Sequence, residues 1–154
     1  VKRLRSSRSS FYWFFKNRAE LLEELLTLWE QAGTVPFERI LQLPGATGMD
    51  KFLSMANLWV DENEYQPKWD AAIRGWGRAS EAVREVIHEV DQKRIAVLQQ
   101  IFMDIGYGGE DANVRARVMY YHQVGYYAMG VKESRRVRRA FIPYYRRALT
   151  GRDA

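Results

Sequence analysis

Few side chains in this 154-residue sequence combine the type and spacing that catalysis needs. There is no cysteine, which excludes disulfides and thiolate metal sites and fits a reducing compartment. The two histidines, His88 and His122, lie far apart and lack metal-ligand spacing. No Gly-rich phosphate loop and no nucleophile elbow is present. An acid/base pair acting on a hydrophobic substrate would have to come from His122 or from Asp91 with Arg94. Asp91 to Arg94 reads better as an i,i+3 ion pair on a helix. The expectation is therefore binding without turnover: not an enzyme, with no cofactor and no metal.

Charge is distributed unevenly behind a net of +5. Residues 1–18 carry six basic side chains and no acidic one, and residues 132–154 carry eight basic and two acidic. The stretch between them holds ten basic and seventeen acidic residues. Such a chain is expected to meet a polyanion with its ends, although the C-terminal run reads equally as a solvated charged surface. The basic start contains "SRSSFYWFFKNRAELL", residues 7–22, with five aromatics in a row. On a helix each residue turns by about 100°, so Phe11 and Phe15 share a face, with Phe14 nearby, while Tyr12 and Trp13 point elsewhere.

No apolar run approaches the roughly 18 residues that a membrane span needs, and no secretory signal pattern is present. Serines on one side of 7–16 also make a poor face for an interfacial anchor. A cytoplasmic protein with one hydrophobic core and no membrane partner is expected.

Pro, Gly and polar clusters divide the chain into helix-length pieces, without strand-like alternation or internal repeats. A short helix is predicted over 7–16, opened by Ser6 or Ser7. Asn17 then caps a helix to about Gln31, with Glu20 as its capping-box partner. Leu21, Leu22, Leu25, Leu26, Leu28, Trp29 and Ala32 form its buried face, and Gly33 closes it. Residues 34–48, with Pro36, Pro44, Gly45 and Gly48, read as a loop holding one helical turn near Phe37 to Leu41. Further helices are predicted over 49–63, over 67–77 from Pro67, over 80–106 capped by Ser80, over 110–131, and over 132–150 with a bend near Pro143. The stripe of 80–106 is Val83, Ile87, Val90, Leu98, Ile101, Phe102 and Ile105. The fold class is all-α, with roughly eight helices.

Aromatics at helical core spacing are first of all core. Large flat side chains from several helices rarely fill space without gaps, and a gap among them is an apolar pocket with a few polar tips. Phe52, Met55, Trp59, Trp69, Phe102 and Tyr121 are the expected lining for a small hydrophobic or aromatic ligand. Val118, His122, Gly125 and Met129 share one helix face, and Val137, Phe141, Tyr144 and Ala148 form a second stripe. Two such helices paired with their symmetry mates give a four-helix bundle and a homodimer. Packing within one chain is the alternative.

The segment "SRSSFYWFFKNRAELLEELL" resembles the end of the helix-turn-helix of TetR-family transcriptional regulators, where an aromatic pair and Phe-Lys precede a capped linker helix. Downstream, "WDAAIRGWGRASEAVREVIHEVDQKRIAVLQQIFMDIGY" is similar to the effector-domain stretch of such proteins. The resemblance implies that residues 1–18 are the C-terminal remnant of a DNA-binding domain and 19–154 an effector-binding and dimerisation domain. It implies phosphate contacts from Tyr12 and Lys16. Ser7, Arg8, Ser9 and Ser10 would enter the major groove, with Trp13 at the groove rim. Phe11 and Phe15 then pack inward. Arg5 and Ser6 stand where the family usually has Gly and a β-branched apolar residue, and about two further helices of the family lie upstream of this sequence. The implied function is a ligand-responsive regulator, read here as a repressor, whose duplex DNA partner requires the complete N-terminal domain. Two other readings are a dimeric small-molecule-binding protein without DNA recognition and a helical enzyme on a hydrophobic substrate.

Overall fold

Asn17 opens the first helix as its sequence position predicts: its Oδ1 accepts from the Glu20 backbone N–H at 2.9 Å. The computed structural model describes residues 17–152, which form six helices and, among the described residues, no strand. These are α1 (Arg18–Leu41), α2 (Gly48–Asp61), α3 (Pro67–Gly77), α4 (Glu81–Ile105), α5 (Gly109–Ala128) and α6 (Arg135–Thr150). The fold is all-α. Thr47 and Asp50 form a reciprocal capping box at α2, Pro67 opens α3, and Ser80 and Ser134 cap α4 and α6 with their side chains. The predicted helix 7–16 lies outside the described residues.

The count of eight helices is corrected in one place by the course of α1. It does not stop at Gly33 and continues through Pro36 to Leu41, so residues 34–41 of the expected loop, with the turn near Phe37, are its last two turns, while 42–47 form the loop expected there. Local breakers lose here to tertiary burial. Phe37 and Ile40 are buried in the main core, and holding them there requires a helical backbone. The expected buried face of α1 is also narrower than predicted. Trp29 is buried, but Leu28 is exposed, as is Ala32.

The central element is α4, which packs against α1, α2, α3 and α5. All seven residues of its predicted stripe are buried. Its C-terminal half joins Phe37, Phe52, Met55, Trp59, Ala112, Ala116 and Met119 in the main core, while its N-terminal half joins Trp29 and Ile73 in a second cluster. At Gly48 the α2 and α4 backbones nearly touch. A Cβ there would lie 2.4 Å from the Ile105 nitrogen, so only glycine permits this approach.

Candidate ligand cleft and buried charge layer

The last helix, α6, lies along α2 and keeps its backbone farther from α5. It is tied down at both ends. At its start, Glu62 Oε1 accepts from Arg138 Nη1 at 2.6 Å and from Tyr127 Oη at 2.7 Å, and Arg139 pairs with Asp61. Glu62 holds this position with a left-handed backbone, φ 53°. At the far end, Tyr107 donates to the Thr150 carbonyl and Arg115 to the Leu149 carbonyl. Between these anchors the middle of α6 leaves a cleft against α2 and α5.

Phe52, Ala56 and Trp59 form one wall of the cleft, Met119, His122, Gln123 and Tyr126 a second, and Phe141, Ile142 and Tyr145 a third. Its free volume is about 70 Å³. That admits a group of a few atoms; a whole small molecule fills several hundred Å³, so it enters only if α6 shifts outward. The walls are mainly apolar, but two buried donors face no acceptor: the Trp59 indole Nε1 and the Gln123 amide Nε2. Both residues are 5% exposed. An unpaired buried donor costs about 1–3 kcal/mol, which an acceptor arriving in the cleft would recover.

The rim is polar. His122 Nε2 lies 3.1 Å from Tyr145 Oη, with ring centroids 4.7 Å apart. Burial pushes the His122 pKa below its ordinary value, and the nearby Arg138 charge pushes the same way against Glu133. Burial, with the hydrogen bond to Glu62, lifts the Tyr127 phenol to about 12.

No family model matches the chain, and no curated protein or solved structure does.

Of the six expected lining residues, Phe52 and Trp59 reach the cleft. Met55 and Phe102 are fully buried in the core, Phe102 edge-on to Phe52 at 5.9 Å. Trp69 packs instead on the second cluster, and Tyr121 is exposed, accepting from Arg117 Nε at 3.1 Å. The six do not line one pocket. Gln123, Tyr126, Ile142 and Tyr145 were missed. Gln123 had a signal: it continues the stripe Ala112, Ala116 and Met119 on α5, a polar residue on an apolar face. The residues expected to contact DNA (Ser7, Arg8, Ser9, Ser10, Tyr12, Trp13 and Lys16) lie outside the described residues.

The residues expected at a dimer seam are mostly open to solvent. Val118 is 52% exposed, Met129 81%, Phe141 42% and Tyr144 61%. His122 and Ala148 are exposed, and Gly125 and Val137 half-buried. His122 and Phe141 also line the cleft, so the cleft and this apolar surface share residues.

A group of buried and half-buried charges touches both cores, through Tyr120 of the main core and Trp29 of the second cluster. Arg74 binds Asp91 with both Nη atoms, at 2.9 and 2.7 Å, and Asp70 through Nε at 2.7 Å. Tyr120 Oη donates to Asp91 at 2.6 Å, and Trp29 Nε1 to Asp70 at 3.2 Å. The expected Asp91–Arg94 pair is thus a correction: Asp91 pairs with Arg74, and Arg94 turns inward to Asp70 and Tyr120. The Arg94 guanidinium lies 4.9 Å from the centre of the Trp29 ring and 5.9 Å from that of Phe37, one ring from each core. Burial alone would lower the Arg74 pKa, but its bonds to Asp91 and the Asp70 charge outweigh this and keep it charged. Burial pushes the Tyr65 and Tyr120 phenols well above their ordinary range, so both stay protonated. Among the described residues, no group of acidic or histidine side chains could hold a metal ion, and no helix is long and apolar enough to cross a membrane.

Proposed function

We propose that this chain carries the effector-binding and dimerisation domain of a TetR-like, ligand-responsive transcriptional regulator, read as a repressor. The observation that supports it is the exposed apolar face shared by α5 and α6, carried in one chain with the recognition-helix-like segment 7–16. An apolar surface of this kind on two successive helices is what an isologous four-helix seam needs. The cleft gives such a dimer its input. A hydrophobic ligand with a hydrogen-bond acceptor would meet Trp59 and Gln123 and displace α6, and α6 belongs to the seam. Differential affinity of the ligand for the two α6 positions would then change the spacing of the DNA-binding segments.

The test joins both parts. The protein as its gene encodes it is titrated on duplex DNA from upstream of that gene, with and without hydrophobic carbonyl compounds. Sedimentation is run in parallel. A dimer with salt-dependent DNA binding that a cleft ligand weakens supports the reading. A monomer, or a dimer that binds no DNA there or in a random-sequence selection, overturns it; the second outcome favours a dimeric binding protein.

A further inference from the structure

Arg94 is 1% exposed, yet its charge is poorly matched. Its two bonds, from Nη1 to Asp70 Oδ1 and to Tyr120 Oη, are long at 3.3 and 3.4 Å. The carboxylates that could neutralise it are committed elsewhere, Asp70 to Arg74 and Trp29, and Asp91 to Arg74 and Tyr120. The remaining nitrogens, Nε and Nη2, are buried with no acceptor. These two lie on one edge of the guanidinium, the edge whose parallel N–H bonds fork onto the two oxygens of a carboxylate. A buried cation with that edge empty is out of balance.

The surroundings fit a ligand better than a misplaced side chain. Arg94 lies at the wall of a niche formed by Trp29, Gly33, Tyr65, Trp69 and Asp70, with about 20 Å³ free. That is room for one water molecule or the tip of a small polar group. Two carboxylates also line the niche, and both are paired: Glu64 with Arg39 at 2.8 Å and Asp70 with Arg74 at 2.7 Å. The niche shares no residue with the cleft between α2, α5 and α6.

We infer that this niche is a carboxylate site: the free Nε–Nη2 edge of Arg94 takes the carboxylate of a small organic acid, whose body exceeds the free space and is admitted as the half-buried Trp69 swings outward. The inference holds whether or not the protein binds DNA.

The test is calorimetric titration of the wild-type chain with acetate, hexanoate and benzoate, beside hexanamide and benzamide. The amides keep the shape and lose the second anionic oxygen. At least one acid binds saturably, one per chain, about ten-fold or more tighter than its amide. Arg94→Lys keeps the charge but not the fork and abolishes that preference, while Gln123→Leu, in the other cleft, leaves it unchanged. Should Arg94→Lys fail to fold, a crystal of the wild-type chain with the preferred acid decides, by whether the carboxylate lies against Arg94 or in the cleft beside Arg138. The inference is overturned if no acid binds, if acid and amide bind alike, or if the preference disappears in Gln123→Leu and survives in Arg94→Lys. A crystal grown with the preferred acid that shows only a water molecule against Arg94 overturns it too.

Discussion

The Cβ that Gly33 lacks would lie 1.8 Å from Nη2 of Arg94 and 2.8 Å from its Cζ. Glycine in mid-helix is unfavourable by itself, so its presence in α1 needs a reason, and Arg94 is that reason. The guanidinium has little freedom to retreat, because the rings of Trp29 and Phe37 stand close on either core. Gly33→Ala is therefore expected to destabilise the fold by about 1–3 kcal/mol, despite its better helix propensity. Gly75→Ala, in α3 with open space around it, should instead stabilise by about 0.5–1 kcal/mol. Urea unfolding of the two variants checks the contrast. In an Arg94→Met background the Gly33→Ala change should become neutral or stabilising; persistence of the penalty there would remove Arg94 as its cause.

The proposed dimer seam has a probe in Gly125. A Cβ at this position meets nothing within 4 Å in the chain, so the first atom of a larger side chain has room in the monomer. Gly125→Leu is expected to leave chemical stability of the subunit nearly unchanged and to weaken dimerisation by about ten-fold or more, because a close helix approach would then be blocked. Sedimentation across a micromolar dilution series reads the effect. Equal dimerisation of variant and wild type would place the seam elsewhere.

The parts of the fold legible in the sequence were those set by periodicity and capping. The α4 stripe, the Ser80 cap and the start of α3 at Pro67 all follow from local chemistry and are found where expected. The errors arose where a distant residue decides. Gly33 and Pro36 look like a helix end until Arg94, 61 positions later, is seen to need the missing Cβ, and Phe37 and Ile40 to need burial. Arg94 itself carried a visible signal: it stands four residues from both Val90 and Leu98 on an otherwise apolar stripe. Its nearest sequence partner, Asp91, was the wrong one, because Arg74 competes for that carboxylate with two bonds. The cleft was half legible for the same reason. Phe52 and Trp59 are marked by type, whereas the third wall depends on how α6 docks on α2, which no local pattern specifies.

His122 gives the cleft rim a pH dependence whose sign is fixed. Its folded pKa is lowered, by burial first and then by Arg138, with Glu133 opposing and Tyr126 and Tyr145 packed beside the ring. Above its ordinary value near 6.5 both folded and unfolded chains hold it neutral, and its contribution is complete. As the pH falls through 6.5 the unfolded chain takes up the proton first, so stability declines until the lower folded pKa is passed. Wild-type protein should lose more melting temperature between pH 8 and pH 5 than His122→Gln. Because His122 as a whole residue is more than a third exposed, with only part of its ring covered by Tyr126 and Tyr145, the difference is expected to be small; parallel curves for the two proteins would refute it.

The regulator reading makes its sharpest prediction on DNA. In the proposed complex Tyr12 and Lys16 meet phosphates, and Arg8, Ser9 and Ser10 face base edges. A phosphate contact carries no sequence information, so Lys16→Ala should weaken specific and non-specific binding alike. It should also lower the slope of log K against log salt by about 1 per subunit, hence about 2 per dimer. Changes at Ser9 or Ser10 should instead alter which operator is preferred and leave that slope in place. Titrations of full-length wild type, Lys16→Ala and Ser9→Ala from 50 to 300 mM salt, on the order of the range over which counterion release is resolved, separate these roles. If Lys16→Ala and wild type share one slope, Lys16 touches no phosphate and the recognition-helix assignment of residues 7–16 fails.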